Sequence, residues 1–151
     1  MTSTQGPAMD AFDITRSIDI NAPIDKVWAT ITEPQLISQW FGDATEFEAT
    51  EGGRGFFAWN AHGKFRVVVE HVEPPRVLVY RWAHREADAE PTPQNSTVVR
   101  FELTEIAGGT KLDLLETGFE GLADPQEARN GNEEGWTAEL AELVSFLQSA
   151  H

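Results

Sequence analysis

The chain has no cysteine among its 151 residues. That absence removes disulfides, thiolate metal ligands and thiol nucleophiles together. Basic residues are scarce, with 11 Lys and Arg against 25 Asp and Glu and a formal net charge of −14. Nucleic acid and anionic membrane surfaces are therefore poor partners. No apolar run approaches the roughly 18–20 residues of a membrane span, and the first ten residues, MTSTQGPAMD, lack the basic and apolar regions of a signal peptide. There is no glycine-rich phosphate loop, so no nucleotide cofactor is expected. The four histidines, His62, His71, His84 and His151, are far apart in sequence and none stands at ligand spacing to another, so no metal is expected either. A reducing cytoplasm fits this set of absences and is the expected location.

What is present is an ordered globular composition: 40% hydrophobic residues and five tryptophans. A compact chain of this length can bury roughly 68–70% of its unfolded surface, enough for a core with a cavity. Residues 1–11 read as a flexible N-terminal tail and 12–149 as one domain. Ile14, Ile18 and Ile20 alternate with Thr15, Ser17 and Asp19, as in a half-buried strand. Asn21 stands as an N-cap with Pro23 just inside the helix start, and Ile24, Val27, Trp28 and Ile31 form one apolar stripe. Pro34 divides this helix from a second, carrying Leu36, Ile37, Trp40 and Phe41, which Gly42 stops.

Six strands follow. Thr45–Thr50 is short, and Gly55–Asn60 places Phe57 and Trp59 on one face. Ala61-His62-Gly63 turns the chain into Lys64–Val72, which is apolar on both faces and hence central or strongly curved. Glu73-Pro74-Pro75-Arg76 breaks that run, and Val77–His84 resumes it with Leu78, Tyr80 and Trp82 on one side. Residues 85–95 form a long polar connection. In Ser96–Ile106, Val99, Phe101 and Leu103 point inward, and in Thr110–Gly118 Leu112, Leu114 and Glu116 share a face. Residues 119–131 lack periodicity and read as a loop with at most one helical turn. Asn132 caps the final helix, whose stripe is Trp136, Leu140, Leu143, Val144 and Leu147. The order is one strand, two short helices, six strands and a long helix, an α+β fold in which a curved antiparallel sheet wraps round the C-terminal helix.

Five segments together carry a resemblance. They are INAPIDKVWATITEPQLISQWF (Ile20–Phe41), Gly52-Gly53-Arg54 before an aromatic strand, VEPPRVLVYRW (Val72–Trp82), STVVRFELTEIAGGTKLDLLETGF (Ser96–Phe119) and GWTAELAELVSFL (Gly135–Leu147). Over residues 12–148 the chain resembles the helix-grip superfamily called START or SRPBCC, and within it the activator of heat-shock-protein ATPase type. The resemblance implies a deep, largely apolar cavity between sheet and C-terminal helix, used in that superfamily for lipids, polyketides, plant hormones and other hydrophobic molecules. It does not imply one reaction, since one fold hosts many functions.

Candidate ligand-binding residues follow from the inward faces. Aromatic walls would come from Trp40, Phe57, Trp59, Tyr80, Trp82, Phe101 and Trp136, with Leu114 and Leu140 beside them. Glu116 is the polar residue of greatest interest. In an apolar pocket its pKa is expected to rise, making it a proton donor or hydrogen-bond anchor. Arg16 shares a face with Ile14 and Ile18. Ser96, Thr97 and Thr117 have no histidine and acid near them in sequence, so no nucleophilic triad is evident. Three functions remain open: a carrier or sensor of a small hydrophobic ligand, gated by the 119–131 loop; a cyclase-like or hydrolase-like enzyme using Glu116 and Tyr80; and a co-chaperone-type module whose acidic stretch 116–142 meets a basic partner. A chaperone and a second copy of the chain are the protein partners these readings allow.

Overall fold

The structure, a computed structural model, describes residues 12–59, 63–84 and 89–149. The expected tail 1–11, the turn at Ala61-His62 and the first part of the 85–95 connection lie wholly or partly outside the described residues. The elements run β1 (Ile14–Ile20), α1 (Ile24–Thr32), α2 (Pro34–Ile37), β2 (Ala44–Glu46), β3 (Arg54–Trp59), β4 (Gly63–Glu73), β5 (Val77–Ala83), β6 (Ser96–Ile106), β7 (Gly109–Thr117), a 3₁₀ turn (Phe119–Gly121) and α3 (Pro125–Ser149). All seven strands pair antiparallel in the order β1-β7-β6-β5-β4-β3-β2. The first strand therefore closes onto the last, and the sheet curves round α3.

Alternation places the core. Directly opposed residues share a face in an antiparallel pair, so Val69, Tyr80, Val99, Glu116 and Ile14 form one inward row across five strands. All five are buried. A register shift between Val69 and His71 interrupts the β4–β5 ladder. Such a bulge bends a strand and raises its twist, which accounts for the apolar residues on both faces of β4. From the helix side, Trp136, Leu140, Leu143 and Leu147 join the same core, with Val144 packed partly against it.

Four boundaries differ from the sequence reading. Helix α2 ends at Ile37 with Ser38 as its C-cap, so Trp40 and Phe41, expected on that helix, lie beyond it. Pro23, not Asn21, occupies the cap of α1, and it makes no side-chain cap hydrogen bond; the Asn21 N–H instead binds Gln148 Oε1 near the end of α3 at 2.9 Å. β2 spans only three residues instead of the expected six. The largest correction concerns residues 119–131. Helix α3 begins at Pro125, seven residues before Asn132, so Asn132 lies inside the helix and much of the expected gating loop is helical. The true start is Asp124-Pro125: Asp124 Oδ1 accepts the Glu127 N–H at 3.3 Å, and proline suits a first helical position. Gly131 obscured this start, because a glycine costs a helix about 1 kcal/mol relative to alanine.

Candidate functional site

The alternation that buries Leu112 and Leu114 carries Glu116 to the end of the same face, fully buried under the N-terminal half of α3. Four side chains donate to it. Trp136 Nε1 reaches Oε1 at 2.8 Å; Trp82 Nε1 at 3.0 Å, Thr97 Oγ1 at 2.5 Å and Asn132 Nδ2 at 2.9 Å all reach Oε2. Two donors come from the sheet and two from the helix, so one carboxylate ties the layers together.

Burial alone would push the Glu116 carboxyl up, and it is the largest influence on this group. The nearby His84 imidazole, 3.8 Å from Oε2, and the hydrogen bonds from Thr97 and Trp82 outweigh it and hold the carboxyl below its ordinary value. The expected rise is therefore corrected: donors to the charged form win over desolvation. Tyr80 behaves oppositely. Its burial, with the Glu116 charge added, raises the phenol well above its usual range. Glu116 stays an anion and Tyr80 a neutral phenol. Neither is poised near neutrality, as a general acid or base would be.

The fold assembles a hydroxyl, an imidazole and a carboxylate that sequence spacing kept apart. His84 Nε2 lies 2.7 Å from Thr97 Oγ1 and 3.8 Å from Glu116 Oε2. The Thr97 hydroxyl has one proton and gives it to Glu116, so His84 Nε2 must donate to Thr97. In a nucleophilic triad the imidazole accepts the hydroxyl proton instead. Thr97 has no exposed surface from which to attack. The cluster orients His84.

Beside this cluster opens a cleft of about 570 Å³. Phe41, Trp59, Phe65, Trp82 and Trp136 supply its aromatic walls, and His84, Asn132 and Glu139 its polar groups. Phe41 stacks on Trp136 at 5.3 Å between ring centroids and meets Trp59 edge-on at 5.0 Å. Gly131 and Gly135, one helical turn apart, complete the wall on α3. A Cβ built on either would meet nothing within 4 Å. Both glycines are exposed, so the space beside them is open to solvent at the cleft's edge.

Of the candidate residues, Trp59, Trp82 and Trp136 line this cleft, and Glu116 lies beneath it, bonded to two of them. Trp40, Phe57, Tyr80, Phe101, Leu114 and Leu140 are buried in the packed core. Trp40 has a structural bond, from its Nε1 to Thr30 O at 3.0 Å. Arg16 binds Glu133 at 3.2 Å, within a turn of Trp136 on α3, and is not among the residues that line the cleft. Sequence reasoning missed Phe41, Phe65, His84, Asn132 and Glu139 as cleft residues. Phe65 was legible from its pairing opposite Phe57; Asn132 and Glu139 stand two turns apart on one helix, and only the fold brings His84 beside them.

Glu139 contrasts with Glu116. It accepts Trp59 Nε1 at 3.2 Å, yet its carboxyl is pushed up: partial burial, the largest influence, together with the smaller effects of the Glu142 and Asp43 charges, outweighs the lowering from Trp59. No helix among the described residues is long and apolar enough to cross a membrane.

A profile of the family described as "Activator of Hsp90 ATPase homolog 1-like protein" matches residues 21–148. Solved structures with this fold include protein MLL2253 from Mesorhizobium loti, at 27% identity and TM-score 0.79 over 92% of this chain and 98% of that one. DynU16, from the dynemicin biosynthetic locus, aligns at 23% identity and TM-score 0.76 over 93% of this chain and 48% of that one, so this chain spans about half of DynU16. The Aha1 dimer from Colwellia psychrerythraea aligns at 17% identity and TM-score 0.76, covering 91% of this chain and 96% of that one. No curated protein matches the chain significantly.

Proposed function

Because the chain belongs to the family of Activator of Hsp90 ATPase homolog 1-like proteins, we propose that it binds a small hydrophobic or aromatic ligand between its sheet and α3, as a carrier or sensor. The observation that carries this reading is the pairing of an aromatic-walled cleft with two helix glycines facing open space. Glycine in a helix interior costs stability that packing here does not require. Leaving room for a ligand is a reason to keep it. The cleft's volume lies within the roughly 300–1,000 Å³ common for small-molecule sites.

The enzymatic alternative with Glu116 and Tyr80 as acid and base has less support, since the first is saturated with donors and the second is buried as a neutral phenol. A chaperone partner is the reading that the family description favours; salt-sensitive retention of a chaperone by the immobilised protein would support it. The ligand reading is tested by titrating the neutral dye N-phenyl-1-naphthylamine while following tryptophan emission. Saturable one-to-one quenching with energy transfer to the dye is expected. Purely linear, non-saturating partition would end the proposal.

A further inference from the structure

The cleft's hydrogen-bonding inventory is lopsided. All three of its indole N–H groups are already committed to carboxylates: Trp82 and Trp136 to Glu116, and Trp59 to Glu139. Asn132 spends an amide hydrogen on Glu116, Thr97 spends its hydroxyl proton there, and His84 Nε2 donates to Thr97. What the walls still present are indole and phenyl faces, the second amide hydrogen of Asn132, the other ring nitrogen of His84 and the carboxylate of Glu139. Among the described residues no lysine or arginine lines the cleft. An anionic ligand would meet the Glu139 carboxylate with no lysine or arginine to offset it.

Ring faces carry negative electrostatic potential and attract cations within about 6 Å, tryptophan most strongly. An indole that donates to an anion has its face made more negative still. Glu116 adds a buried charge beneath two of these rings, and Glu139, crowded by the like charges of Glu142 and Asp43, has no lysine or arginine beside it among the described residues that line the cleft. We propose that the ligand of this cleft is an organic cation, a hydrophobic amine or quaternary ammonium, whose charge lies between the tryptophan faces and Glu139. This rests on the cleft being the ligand site.

The test compares three probes of similar shape by calorimetry or tryptophan quenching: phenyltrimethylammonium, its neutral isostere tert-butylbenzene, and the anion 4-tert-butylbenzoate. The cation should bind about tenfold more tightly than the neutral probe, as a partly desolvated cation–π site implies, and the anion most weakly. Glu139→Gln should bring the cation and neutral affinities closer by about three- to tenfold, and added salt should weaken the cation selectively. Gly135→Leu should block all three. Equal affinities for cation and neutral probe, or tighter binding of the anion, would overturn the charge assignment and leave the cleft as a site for neutral ligands. If none of the three binds and N-phenyl-1-naphthylamine does not either, both the charge assignment and the ligand reading fall.

Discussion

The floor and the rim of the cleft are built from the same ingredients, a carboxylate that receives indole N–H groups, yet they end in opposite states. At the floor, Glu116 accepts four side-chain donors without any exposed surface, and its carboxyl is held down. At the rim, half-buried Glu139 accepts Trp59, lies near other acids, and its carboxyl is pushed up. The difference is one of supply. A buried charge with enough donors becomes a joint between layers, whereas an undersupplied one keeps an affinity for something not yet there.

The comparison can be broken first at the floor. Glu116→Gln places an amide NH₂ among four donors and should cost about 3 kcal/mol, the scale on which buried polar joints fail when one partner is lost; urea unfolding followed by tryptophan fluorescence would read it. The same residue should give the protein an acid-sensitive profile. Its folded pKa is depressed, so its stabilisation is fully present above the unfolded value and is lost as pH falls through the folded one. Denaturant midpoints measured down the acid limb should flatten in Glu116→Gln relative to the parent.

At the rim the expected effects are smaller and of opposite sign. Gly131→Ala should stabilise by about 0.5–1 kcal/mol, since the helix gains propensity and the new methyl meets open space; a rise in Tm would show it, and a fall would mean that the glycine is needed for packing. Glu139→Gln should be the mildest, a gain of a few tenths of a kcal/mol at neutral pH after allowance for solvent screening. The sign follows from the raised folded pKa: the ionised carboxylate is a cost, absent at low pH and growing as pH rises through that value. A loss of stability at neutral pH in this variant would contradict the contrast between the two carboxylates.

Most of the sheet was legible because strand periodicity is local. Val99, Phe101, Leu103, Leu112, Leu114 and Glu116 all face inward as their alternation indicates. The start of α3 was obscured because residues 119–131 lack apolar periodicity and include Gly131, while the real signal, Asp124-Pro125, is only two residues long. The site was legible in part. Alternation could aim Glu116 inward, but its charge state depends on donors 16 to 34 residues away in sequence, which no local pattern reports. The packed core likewise took six of the ten candidate side chains, since aromatic residues fill interiors as readily as they line clefts.

The central claim is that the space beside Gly135 is a binding site and not a packing defect. Its most direct test is Gly135→Leu, measured in parallel for N-phenyl-1-naphthylamine affinity and for thermal unfolding. A leucine there would occupy the cleft between α3 and the tryptophan walls, without a clash at its Cβ. The account predicts that dye binding is lost at least tenfold while Tm holds or rises, as helix propensity favours leucine over glycine. Unchanged dye affinity in a folded variant would contradict it.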